Sequence, residues 1–233
     1  MFDKMLHQYS TKANQTLEWL SMDTKKLYAK NVANRYDEIV KFGWLDKKFS
    51  YKFNSYGFRS DEFSNEPSMV SLGCSHTCGI GLPLENCWAS IVSNSLNLKN
   101  FNLGIGASSN DTAFRMAHHW LSQLKPKVVV HLSTYRHRLE YHDNNSVIYD
   151  LASWSNSQLW KDWILNDINS DMNFLKNTLA IQHICNNLGI KLIQIEYEKL
   201  DGFKIIENDF ARDLGHRGVK TNQNIAEHIL SKI

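Results

Sequence analysis

Three short stretches of this chain carry groups suited to acyl transfer. Gly73-Cys-Ser-His-Thr-Cys-Gly-Ile-Gly-Leu offers the hydroxyl of Ser75 among glycines that let the backbone turn sharply and leave amide N–H groups for a developing oxyanion. The same stretch also reads as a Gly-rich turn that cradles phosphate or only reverses the chain. Asn102-Leu-Gly-Ile-Gly-Ala-Ser-Ser-Asn, with Gly104 and Gly106, puts further backbone N–H groups at a helix start, where negative charge is favoured. A Gly-x-Gly turn alone is common, and this one lacks the full dinucleotide fingerprint. Asp213-Leu-Gly-His216 sets a carboxylate and an imidazole three residues apart on one side of a turn, so Asp213 can orient His216 and stabilise its protonated form. An ordinary surface pair is the alternative there. A nucleophile needs a base, the base an orienter and the acyl intermediate N–H donors, and the three stretches together supply that set.

Each stretch lies where a strand should end. Met69-Val-Ser-Leu-Gly reads as a short buried strand, and Leu84 to Asn97 as a helix with Leu84, Cys87, Trp88, Ile91 and Leu96 on one stripe. The alternation repeats with a strand at Phe101-Asn-Leu-Gly-Ile and a helix over about 110–124. It repeats again with Val128-Val-Val-His-Leu, a polar insertion, a helix ending through Ile181, Ile184, Cys185 and Leu188, and the strand Lys191-Leu-Ile-Gln-Ile. A last helix, Thr221 to Ile233, takes Thr221 as its N-cap. Strands alternating with amphipathic helices predict a three-layer α/β/α architecture around a flavodoxin-like, doubly wound parallel sheet, with ligands at the carboxyl ends of its strands. Residues 1–65 read as a helical and extended arm packed on that core: helix-like spacings at Leu17, Leu20, Tyr28, Val32 and Tyr36 precede an aromatic–polar alternation over 49–63 that suits a hairpin or extended piece. Residues 66–233 form the core, the two parts making one globular unit. The insertion from about Tyr141 to Lys176, with Trp154, Trp160 and Trp163, is expected to border the crevice.

At 233 residues and 42% hydrophobic content the chain supports one sizeable core. No apolar run approaches the roughly 20 residues that cross a bilayer, and a net charge of +2 gives no basic footprint for nucleic acid. The opening Met1-Phe-Asp-Lys-Met-Leu-His-Gln-Tyr lacks the pattern of a secretory signal, which points to the cytoplasm. Cys74, Cys78, Cys87 and Cys185 read as reduced thiols, and His118, His119, His131, His137 and His142 read as packing or solvent-facing histidines, with no metal site.

The ordered set Gly73-Cys-Ser-His-Thr, Asn102-Leu-Gly-Ile-Gly-Ala and Asp213-Leu-Gly-His216-Arg-Gly resembles the SGNH (GDSL-type) hydrolases, a family of esterases and acylhydrolases, over some two thirds of the chain. With Gly-x-Gly-Leu-Pro-x-Glu-x-x-Trp it is also similar to SGNH-like proteins of bacteriophages and marine bacteria, a likeness that would fit virion association. The resemblance implies a carboxylic ester hydrolase with a Ser75–His216–Asp213 triad, an oxyanion hole of the Ser75 and Ala107 N–H groups, no metal or organic cofactor, and a small-molecule or glycan ester as substrate, O-acetyl carbohydrate for example. Gly104, Gly106 and Arg138 are expected to contact that substrate. The chain departs from the family in three places. Cys74 stands where the family has Asp, Ala107 where it has the oxyanion glycine, and Arg136 where its third block has Asn. Arg136 or Arg138 is expected to donate in place of the missing amide, or else to pair with acidic neighbours such as Glu140. A catalytically silent glycan-binding or virion-associated module on the same fold is the alternative function, and a flavodoxin-like nucleotide binder a third.

Overall fold

The computed structural model describes residues 10–143, 148–197, 205–206 and 208–233; the opening Met1–Tyr9 stretch discussed above lies outside them. Strand β1 (Thr16–Leu17), helices α1 (Lys25–Asn34) and α2 (Tyr36–Lys41) and strand β2 (Tyr51–Lys52) make up the arm. The core follows as β3 (Ser68–Leu72), α3 (Ser75–Cys78), α4 (Trp88–Ser95), β4 (Lys99–Asn102), α5 (Asn110–Leu124) and β5 (Val128–Ser133). A hairpin of β6 (Leu139–His142) and β7 (Ile148–Leu151), then α6 (Gln158–Ile164), α7 (Asp167–Asn187), β8 (Lys191–Glu196) and α8 (Val219–Leu230) complete it.

The central sheet runs β4-β3-β5-β8 with every pair parallel. The chain winds from β3 outward to β4 and then crosses back to β5, so the sheet is doubly wound and flavodoxin-like, with helices on both faces. Alternation along each strand divides the core. Val70, Leu72, Phe101 and Val129 meet α5 and the C-terminal half of α7 on one face. Met69, Val130, Leu132, Ile193 and Ile195 meet α4 and α8 on the other. The arm adds Tyr51, Phe53 and Phe58 to the first core, and its Ile39 and Trp44 close over Leu82, Ala211 and Leu214.

Several boundaries differ from the sequence expectation for local reasons. Leu17 is in a strand, paired antiparallel with Tyr51, and not in a helix; the 49–63 stretch therefore finds its partner in the chain start. The helix expected from Leu84 begins at Trp88, because Leu84–Asn86 form a 3-10 turn after Pro83. The strand expected over 101–105 lies at Lys99–Asn102, and the chain leaves the sheet where the Gly104 loop starts. Gly218, not Thr221, caps α8. Thr221 sits inside the helix, its amide donating to Asp209 Oδ2 at 2.7 Å and its hydroxyl accepting from Ile206 N–H. The insertion contains the β6–β7 hairpin, α6 and the first turns of α7; Trp154 is exposed while Trp160 and Trp163 are half-buried.

Candidate active site

Ser75 opens α3 directly after β3, and the turn that delivers it requires glycine at position 73. Gly73 has φ +150°, and a Cβ there would lie 2.3 Å from Thr77 Oγ1 and 2.5 Å from the Leu132 carbonyl. Ser75 is buried, its Oγ donating to Cys74 Sγ at 3.9 Å. As the first residue of α3 it has no intrahelical acceptor for its N–H, and none of the described residues takes that bond.

The second loop is drawn against the first. Leu103 N–H donates to the Ser71 carbonyl and Ile105 N–H to that of Gly73, while Asn102 Nδ2 donates to the Thr77 carbonyl at 2.7 Å. Gly104 is buried at the point of closest approach, where a Cβ would stand 2.7 Å from Cys78 N; its role in the structure is to let the two loops touch. Gly106 is buried beside it. Ala107 is exposed and has φ +65°, a glycine-like conformation that costs a residue with a Cβ about 1 kcal/mol. No described residue accepts from its N–H. Asn110 joins this loop to the one that follows β5, exchanging two hydrogen bonds with the Thr134 backbone at 3.0 and 3.2 Å.

Asp213 and His216 come together as the spacing predicts. His216 Nδ1 donates to Asp213 Oδ2 at 2.5 Å, and Asp213 Oδ1 accepts the N–H groups of Gly215 and His216 at 3.1 and 3.0 Å. Burial opposes ionisation of this carboxyl, but the His216 ring and the two N–H groups outweigh it and hold Asp213 below the usual carboxylate range. With Nδ1–H committed to Asp213, Nε2 of the imidazole is the free basic nitrogen. His76, next to Ser75, stacks on Tyr197 with ring centroids 4.5 Å apart and meets the His216 ring edge-on at 5.4 Å. Burial, reinforced by the cationic Arg138 and Arg217 nearby, pushes His76 down to about 3, so it is neutral at physiological pH.

The arginines separate. Arg136 is bound to Glu196 and Asp171 and lies 4.4 Å over the Phe174 ring, so its guanidinium is spent on a surface ion-pair cluster and not on the Ser75 rim. The reason lies in long-range pairing: Glu196 at the end of β8 and Asp171 on α7 both reach the position after β5. Arg138 instead stays on the second loop, donating to the Ser108 carbonyl at 3.3 Å and to Thr134 Oγ1 at 3.1 Å, with Tyr135 and Trp154 against its face. Glu140, which the sequence offered as a partner for both, is taken by Arg115.

Residues the sequence did not single out hold this arrangement from the arm. Asn31 Nδ2 donates to the Asp213 carbonyl at 3.0 Å, Arg35 to that of Leu214, and Trp44 Nε1 to that of Phe210 at 2.8 Å. Arg212 forms a buried ion pair with Asp23 at 2.6 Å. Tyr51 OH donates to the same Asp23 and accepts from Gly81 N–H at 2.8 Å, which links the loop of Asp213 and His216 to the chain just beyond α3. Arg59 donates to the carbonyls of Cys78, Gly79 and Leu82. The five histidines read as packing or surface groups are dispersed: His131 is buried in β5 with no partner for Nε2 among the described residues, and His142 binds Glu140.

No protein-family model and no curated protein matches the sequence. Among solved structures, the chain is similar to an acetyl xylan esterase from the rumen bacterium Butyrivibrio proteoclasticus at 11% identity and TM-score 0.41, over 80% of this chain and 66% of that one. It is also similar to another acetyl xylan esterase at 14% identity and TM-score 0.35, over 71% of this chain and 99% of that one. A GDSL-like lipase from Bacteroides thetaiotaomicron is a further match at 11% identity and TM-score 0.33, over 71% of this chain and 89% of that one.

Proposed function

We propose that this chain is a serine esterase of SGNH type that cleaves carboxylic esters through an acyl-enzyme. The observation that carries the reading is the coexistence, at the strand exits of one sheet, of Ser75, an Asp213-oriented His216, and two N–H groups, those of Ser75 and Ala107, that no described residue uses. In this mechanism His216 Nε2 takes the Ser75 proton as Oγ attacks the ester carbonyl, and the two N–H groups receive the oxyanion. His216 then returns the proton to the departing alkoxide, activates water against the acyl-serine, and the acid leaves with Ser75 regenerated. In the structure the Ser75 hydroxyl is bonded to Cys74, so the first transfer in this mechanism requires it to leave that contact for His216. Arg138 is the arginine suited to stand in for the missing third-block amide, or to hold the substrate beyond the scissile bond with Trp154. The substrate is an ester with a short acyl group, such as acetyl on carbohydrate, since the rim is polar and aromatic.

The binding-module reading draws on one specific observation, that Arg136 is committed to Glu196 and Asp171. Hydrolysis of a panel of p-nitrophenyl esters and acetylated oligosaccharides separates the two. Turnover of the shortest acyl chains by the wild type, lost in His216→Gln, is expected; binding of acetylated glycans with no turnover and no change in His216→Gln would support the module.

A further inference from the structure

Helix α7 is patterned inside out over its first half. The face it turns to the protein presents Ser170, Asn173 and Asn177, and only from Ile181 and Cys185 onward does that face become apolar. Asn173 and Asn177 both donate to Asp111 on α5, at 2.7 to 3.1 Å, so the polar inner face is fully used. The opposite face carries Ile168, Met172, Leu175 and Leu179, which are 74%, 52%, 48% and 54% exposed, with Leu165 just before the helix at 59%. A helix that serves a monomer shows the reverse arrangement. The spacing of these four residues, 4-3-4, is that of the a and d positions of a two-stranded seam. Contiguous aliphatic surface of this kind is uncommon on a protein that stays alone.

We propose that α7 is the interface at which two copies of this chain associate about a twofold axis, with their α7 helices side by side and parallel. A seam of a and d positions is complementary to its own copy, as an isologous contact requires. Asp171, which also pairs with Arg136 of its own chain, and Lys176 stand on opposite borders of the stripe, five residues apart, the offset at which border charges meet across a parallel seam.

Sedimentation velocity on the full chain tests this, with Met172→Glu/Leu175→Glu as the disrupting variant. Both positions are solvent-exposed, so the fold should persist, and far-UV circular dichroism checks that it does. A second arm keeps the native seam and introduces Leu175→Cys, which in a parallel pair faces its own counterpart, whereas the four native cysteines are buried. The expected result is a wild-type dimer at micromolar concentration, a monomeric double variant, and an oxidised Leu175→Cys chain that runs as a covalent dimer. A monomeric wild type, a dimer indifferent to the two glutamates, or a folded Leu175→Cys chain that does not cross-link would each overturn the proposal.

Discussion

The two oxygens of Asp213 divide their work, one fixing the loop through Gly215 and His216 N–H, the other orienting the imidazole. Asp213→Asn keeps the shape and part of the loop bonding but offers Nδ1 an amide, which favours the wrong tautomer. We expect kcat to fall about 10⁴-fold with KM little changed, measured on the best ester of the panel. Equal losses in KM and kcat, with a drop in melting temperature, would mean that the loop had collapsed instead. The Asp213 and His216 partnership was readable in sequence because three residues on a turn leave little freedom. The fate of Arg136 was not: its partners Asp171 and Glu196 lie 35 and 60 residues away, and only the fold brings them to it.

At the scale of elements, the strand–helix alternation from Ser68 onward was legible because each buried strand and each amphipathic helix states its period within a dozen residues. Boundaries moved where a close loop contact or a turn interrupts the period, as at Gly104 and Pro83. The arm was legible as an arm and nothing more, since Asn31 meets Asp213 across 182 residues and Asp23 meets Arg212 across 189. Through those contacts the arm fixes the loop of Asp213 and His216 from outside the sheet. Removing one partner of the buried Asp23–Arg212 pair leaves an uncompensated charge, a loss of about 3 to 5 kcal/mol. Asp23→Ala should therefore unfold at clearly lower urea than the wild type, and proteolysis of the folded variant should cut first within 209–217. An unchanged midpoint would remove the arm from this role.

For the whole molecule, pH is the informative variable. His131 is fully buried, and burial lowers it from 6.5 to about 4. The unfolded chain thus takes up a proton on this residue as pH falls through 6.5, while the native chain does not until about 4. Stability is lost across that window on acidification, at most about 1.4 kcal/mol per pH unit from this group. The depressed Asp213 acts in the same direction below the ordinary carboxylate range. Melting temperatures taken between pH 7 and 5 should fall for the wild type and fall less for His131→Leu, which fills similar volume without titrating. Parallel curves for the two chains would contradict the assignment.

The claim on which the rest depends is that Ser75 is an activated nucleophile, and covalent labelling reaches it without knowledge of the natural ester. Intact-mass measurement after treatment with a fluorophosphonate is expected to show a single adduct on the wild type and none on Ser75→Ala. No adduct on the wild type, or equal labelling of both chains, would contradict the catalytic account.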